Sequence, residues 1–245
     1  MKEIATAAAY LDELTGRIGN LLERNGEALA KAADAIENTA RADGLVYIFG
    51  TGHSHMLAEE AHYRAGGLAL TVPILTAPTM LHEGAVAGTV FERIPGFVAP
   101  IFERYPIGPN DVLIVISNSG VNAAPMEAAR TGKERGATVI AVTSQTYSKA
   151  AAKGRPRLAE VADIVLDNDA PSGDAIIPVS GSELRVGPIS TPVGAAMINA
   201  VLAEVAARLQ ASGMDAPIYL SANMPGAAEV NNALIARYRP RNPHL

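Results

Sequence analysis

Val112 to Ile116 is an unbroken run of five apolar β-formers, and Ser117-Asn118-Ser119-Gly120 follows it without a spacer. A continuous apolar run of this length suits a strand buried on both faces of a parallel sheet. A helical pattern starts near Asn122 to Pro125 and runs to about Arg135. Strand, hydroxyl- and glycine-bearing turn, helix N-terminus together make a phosphate cradle. The first N–H groups of a helix lack intrahelical acceptors, and the helix dipole favours an anion beside them. Ser117 and Ser119 add hydroxyl donors, Asn118 lies between them, and Gly120 permits positive φ and close backbone approach. The same residues would also serve as a plain helix cap after a core strand.

Leu45 to Phe49 is a second apolar strand, and it runs into Gly50-Thr51-Gly52-His53-Ser54-His55. Two such turns at the C-terminal ends of parallel strands line one crevice, the place where open α/β sheets bind ligands. With Val142-Thr143-Ser144 after a further strand, the chain resembles the sugar isomerase (SIS) domain family. GTGHS, SNSG and VTS fall in that family's order, and the likeness covers roughly residues 44–207. The longer wording GTGHSHMLAEEAHYRAGG, with LHEGA, is also similar to a little-characterised bacterial group of phosphosugar (phosphoheptose-like) isomerases. The resemblance implies a three-layer αβα sandwich with a five-stranded parallel, flavodoxin-like sheet, preceded by N-terminal helices. It also implies a phosphorylated sugar as ligand and a homodimer.

A chain of 245 residues that is 49% hydrophobic can bury one sizeable α/β core. Formal net charge is −5 and no basic block occurs, which argues against nucleic acid as a partner. Cysteine is absent, so disulfides, thiolate catalysis and thiolate metal sites are excluded. The N-terminal segment carries acids early and has no long apolar core, unlike a signal peptide. No window of 18 unbroken apolar residues occurs, so no membrane partner is expected. These features point to the cytoplasm.

Along the chain, residues 1–42 read as a helical extension and 43–245 as the SIS domain with C-terminal helices. Ile4, Leu11, Leu14, Ile18 and Leu21 recur at helical spacing, with a break expected near Asn25-Gly26. Strands are expected over 45–49, 69–75, 112–116, 138–142 and 164–166. Helices are expected over 55–64, 80–89, 97–105, 123–135, 148–158, 191–212 and 229–237. Strands alternating with helices call for a parallel sheet with right-handed crossovers. The proline-rich stretch Thr76 to Asn110 is long enough to carry function or contact a partner. Asn168 to Ile189 reads as loop, with a flap over the site as one reading, and the tail RPRNPHL reads as frayed.

For the phosphate, the expected contacts are Gly52, Ser54, Ser117, Asn118, Ser119 and Gly120, with Asn122, Thr143 and Ser144 as further donors. Where relatives often carry a hydroxyl residue two positions after the glycine, this chain has Asn122, whose amide still donates. Aldose–ketose isomerisation needs a base near neutral pH and an acid for the oxygens. Glu60 lies on the helix where relatives place a carboxylate; as an alternative it is an exposed helical Glu. His82 and Glu83 form a second candidate pair, or a polar cap on a short helix. His53 and His55 lie inside the first loop, where one faces substrate and the other packs.

A metal site from His53, His55, His62 and His82 lacks the H-x-x-x-H or H-E-x-x-H spacing, so no metal is expected. A dinucleotide fingerprint fails because its third glycine is replaced by His55, and no P-loop motif occurs, so no cofactor is expected. The expected function is a phosphosugar-binding protein that isomerises an aldose and a ketose phosphate. A non-catalytic or regulatory binding module, or a lyase or etherase sharing the same base, stands as the alternative.

Overall fold

The computed structural model describes residues 4–245. Helices α1 (Ala5–Gly19) and α2 (Leu21–Arg41) lead into β1 (Val46–Gly50), α3 (His53–Glu60) and β2 (Thr71–Pro73). The long segment that follows holds a short 3-10 turn, then α4 (Ala85–Phe91) and α5 (Ala99–Phe102). Next come β3 (Val112–Ile116), α6 (Ala123–Glu134), β4 (Thr138–Thr143), α7 (Gln145–Ala152), α8 (Leu158–Val161) and β5 (Ile164–Asp167). The chain finishes with β6 (Ala175–Pro178), β7 (Arg185–Pro188), α9 (Ser190–Ala211) and α10 (Ala227–Tyr238).

The main sheet has five strands in the order β2-β1-β3-β4-β5, all parallel. The chain first winds outward from β1 to β2, then returns to β3 and winds the other way. Right-handed crossovers in opposite directions put helices on both faces of the sheet. On one side α2 and α3 pack against α9; on the other α6 packs against β3 and β4 and touches α5 and α8. The result is the three-layer αβα arrangement. Every residue of β1 and β3 is buried, which is why both read as unbroken apolar runs. Phe49 packs edge-on against Phe102 with ring centroids 5.6 Å apart, and Tyr47 against Tyr105 at 6.2 Å. Asp111 locks the strand starts. Its Oδ1 accepts from the Leu45 N–H at 2.7 Å and its Oδ2 from the Gly108 N–H at 2.8 Å.

Several expectations are corrected. The N-terminal helices part at Asn20, not at Asn25-Gly26. Asn25 instead faces inward, donating to the Asp167 carbonyl and accepting from the Asp167 N–H, so it ties α2 to β5. The second strand shrinks to three residues because it is the sheet edge and has one neighbour, β1. The stretch expected as loop, 168–189, contains an antiparallel hairpin, β6 with β7. Ile176 and Ile177 are buried, and Tyr10 of α1 donates to the Pro188 carbonyl at 2.8 Å, so the hairpin leans on α1. The tail is docked: Asn242 is buried and His244 Nε2 lies 2.8 Å from the Tyr105 hydroxyl. Among the described residues α9, with 22, is the one helix long and apolar enough to cross a membrane. Its Val193, Met197, Val201, Val205 and Leu209 are packed into the core.

Candidate functional site

The sheet order reverses between β1 and β3, so a crevice opens where their C-terminal ends diverge. Gly50 ends β1 and Ile116 ends β3, paired in register. Both hydroxyl-bearing turns therefore start at the same level. Gly50 is required there: a Cβ would lie 2.4 Å from the Ser54 carbonyl oxygen. Gly52 and Gly120 hold φ of 57° and 58°, the left-handed region that glycine adopts without strain.

The cleft over this point has a volume of about 510 Å³. It is bounded by Thr51, His53 and Ser54 of the first turn and by Ser117, Asn118, Ser119 and Asn122 of the second. Glu92, Arg93, Tyr147, Arg155, Asp174 and Ser190 complete its polar wall. The apolar contributions come from Val121 and Ala151, so the lining suits a hydroxyl-rich, charged ligand more than an apolar one. Helices α3 and α6 both begin at this cleft.

Most of the expected phosphate contacts converge here. Ser54, Ser117, Asn118, Ser119 and Asn122 line the cleft, and Gly52 and Gly120 shape its turns. Ser117 Oγ accepts from the Gly120 N–H at 3.1 Å, which closes the second turn on itself. Thr143 and Ser144 lie beneath and are fully buried. Thr143 Oγ1 donates to the Asn118 carbonyl at 3.2 Å, and Ser144 Oγ donates to the Ala170 carbonyl at 2.6 Å. Ser144 also caps α7 by accepting from the Tyr147 N–H. Both hold the cradle from below. Asn168 adds a strut, its amide donating to Asn118 Oδ1 at 2.7 Å.

The acid/base candidates separate. His53 lines the cleft. It stands in the first turn of α3, because that helix starts earlier than its sequence pattern indicated. His55 points away: it is 1% exposed, its Nδ1 lies 2.8 Å from Glu59, and its Nε2 has no partner. Burial lowers its pKa, against the pull of Glu59. Glu60 is outside the cleft lining, paired with Arg64 and 3.3 Å from the Asn199 amide on α9. His82 and Glu83 are exposed before α4 and also lie outside the lining.

Among the described residues no group of three or more His, Asp or Glu is arranged to hold a metal ion. Two lining carboxylates, Asp174 and Glu92, fall outside the sequence candidates. Glu92 lies in the long segment between β2 and β3, and no local motif surrounds it. Glu92 Oε2 accepts from Thr51 Oγ1 at 2.6 Å and Oε1 from the Asn122 amide at 2.9 Å. Arg93 Nη1 is 3.1 Å from Oε1.

A sequence profile described as SIS domain matches residues 9–144. Curated relatives include a UPF0309 protein of Brucella anthropi, 63% identical over 236 residues, covering 96% of this chain and 97% of the relative. A UPF0309 protein of Brucella canis is 59% identical over the same length, again covering 96% of this chain and 97% of the relative. Among solved structures, a phosphoheptose isomerase from Francisella tularensis superposes with a TM-score of 0.53 at 18% identity, over 84% of this chain and 98% of that one. The phosphoheptose isomerase of Neisseria gonorrhoeae gives 0.51 at 21% identity, over 82% of this chain and 97% of that one. At that identity the two structures share the fold.

Proposed function

The chain belongs to the SIS domain family, and we propose that it binds a phosphorylated sugar in the cleft between β1 and β3 and interconverts its aldose and ketose forms. The observation that carries this reading is the convergence of Ser54, Ser117 and Ser119 with the N-termini of α3 and α6 on one polar cleft of about 510 Å³. The hydroxyls and the positive ends of the two helix dipoles take the phosphate. The remaining polar wall takes the sugar hydroxyls. Glu92 and His53 bring a carboxylate and an imidazole to the same wall, which are suitable groups for proton transfer between adjacent carbons. A second reading, a binding module without turnover, uses the same cradle and differs in leaving those two groups idle. A cytoplasmic homodimer is part of the proposal.

The test is a thermal-shift panel of sugar phosphates, each beside its unphosphorylated parent. A ligand at about 100 times its Kd stabilises the folded state by about 2.7 kcal/mol. In a chain of this size that is a rise of roughly 5–10 °C in Tm. Stabilisation by a phosphorylated member alone, lost in Ser117→Ala and Ser119→Ala, supports the cradle. No shift at millimolar concentrations in phosphate-free buffer overturns it. Turnover of the stabilising sugar separates the isomerase from the binding module.

A further inference from the structure

We propose that Glu92 carries the proton between the two carbons; this rests on the isomerase reading of the same cleft. Glu92 sits in the turn after α4, inside the long segment between β2 and β3. It is fixed at both ends. Its main-chain carbonyl accepts from the Ala124 N–H at 2.9 Å, in the first turn of α6. Its carboxylate is held by Thr51 of the first turn and Asn122 of the second, the two turns that make the phosphate cradle. A ligand whose phosphate rests on those turns must lay its carbon chain alongside this side chain, which is 19% exposed.

The competing carboxylates are less available. Asp174, the other acid in the lining, caps the start of α9. Its Oδ1 accepts from the Ile189 and Ser190 N–H groups and its Oδ2 from the Ser190 hydroxyl at 2.7 Å. Glu60 is paired with Arg64 at the C-terminal end of α3, and Glu83 lies outside the lining. An ionised carboxylate offers about four lone-pair sites. Thr51 and Asn122 use two of those on Glu92 and the nearby Arg93 compensates the charge, whereas Asp174 already accepts three bonds, so Glu92 keeps more capacity for substrate.

The step balances with no outside reagent. Glu92 removes the proton from the carbon beside the carbonyl. The C–H pair becomes the C=C bond of an enediol, and the carbonyl π pair moves to oxygen, which is protonated by the His53 imidazolium. The neighbouring hydroxyl returns a proton to the imidazole and its oxygen re-forms a carbonyl. The C=C pair then takes the proton from Glu92 at the adjacent carbon. Product and substrate are isomers.

The test uses the whole chain with fructose 6-phosphate, ribulose 5-phosphate and sedoheptulose 7-phosphate in D2O, following isomerisation and carbon deuteration by NMR. For Glu92→Gln the ligand-induced Tm rise is expected to persist, while turnover and deuteration fall about 100-fold or more. Glu92→Asp keeps the charge at a shorter reach and is expected to fold, bind and turn over at an intermediate rate. It serves where the Gln variant does not fold. Wild-type rates in Glu92→Gln overturn the assignment. Loss of the Tm rise together with turnover also overturns it, because Glu92 is then a brace between the turns. A wild type that is stabilised by these sugars but neither isomerises nor deuterates them overturns the isomerase reading itself, and the cradle stands.

Discussion

Thr51 Oγ1 and Glu92 Oε2 are 2.6 Å apart, joining the turn after β1 to a residue 41 positions away in the segment before β3. Removing the hydroxyl with Thr51→Val keeps the side-chain shape and leaves one carboxylate oxygen without its donor in a half-buried place. A hydrogen bond to a charged group contributes about 1.5–3 kcal/mol. Water can reach part of this site, so the expected loss is about 1 kcal/mol, below that range. It is read as a lower urea midpoint at unchanged m-value.

Gly50→Ala is expected to damage the cradle more than any single hydroxyl deletion. The new Cβ would meet the Ser54 carbonyl carbon at 2.5 Å and the Ser54 Cβ at 2.9 Å, so the first turn of α3 has to move. Overpacking of this kind costs about 1–3 kcal/mol. The fold should survive in circular dichroism, while stabilisation by a sugar phosphate is lost. Retained ligand stabilisation would show that the turn has more freedom than its packing suggests.

Asn25 is 4% exposed and both donates to and accepts from Asp167, at 3.0 and 2.9 Å. Asn25→Ala strands two partly buried backbone groups at the end of β5. Each such group costs about 1–3 kcal/mol, so a loss of roughly 2–4 kcal/mol in chemical denaturation is expected. Asn25→Asp supplies an acceptor for the N–H but sets a carboxylate against the carbonyl, and should rank no better than Ala at neutral pH.

His244 gives the stability a pH dependence. Burial first, then the positive Arg104 nearby, depress its pKa from 6.5 to about 4. The neutral ring faces the Tyr105 hydroxyl through Nε2 at 2.8 Å, a contact that protonation abolishes for an acceptor nitrogen. Between those two pKa values the unfolded chain binds more protons than the folded one. Stability therefore rises with pH in that window. The contribution is full above about pH 6.5 and is lost as pH falls toward 4, at no more than about 1.4 kcal/mol per pH unit. His244→Gln should flatten this limb in urea midpoints taken at pH 7 and pH 5. An unchanged slope would assign the acid sensitivity to other groups.

The parallel sheet and the edge where its two hydroxyl turns meet were legible from residue types. Val112–Ile116 and Leu45–Phe49 are apolar without interruption because both faces of a central strand are covered, and the hydroxyl turns follow directly. The hairpin over 175–188 was not legible. Its Pro and Gly residues carry loop signals, and its pairing and its contact with Tyr10 join positions far apart in the chain. The docked tail was missed for the same reason, since its partner is Tyr105.

Local chemistry in the sequence determined the strands, the two turns and the serines that meet in the cleft, because a strand-turn-helix unit carries its own hydrogen-bonding logic. Which titratable groups share that cleft was decided by tertiary structure alone. On α3, His55 faces away from the cleft that His53 lines, and Glu60 stands two helical turns further along, beyond its lining. Glu92 enters through contacts with Thr51 and Asn122 that no spacing in the chain encodes.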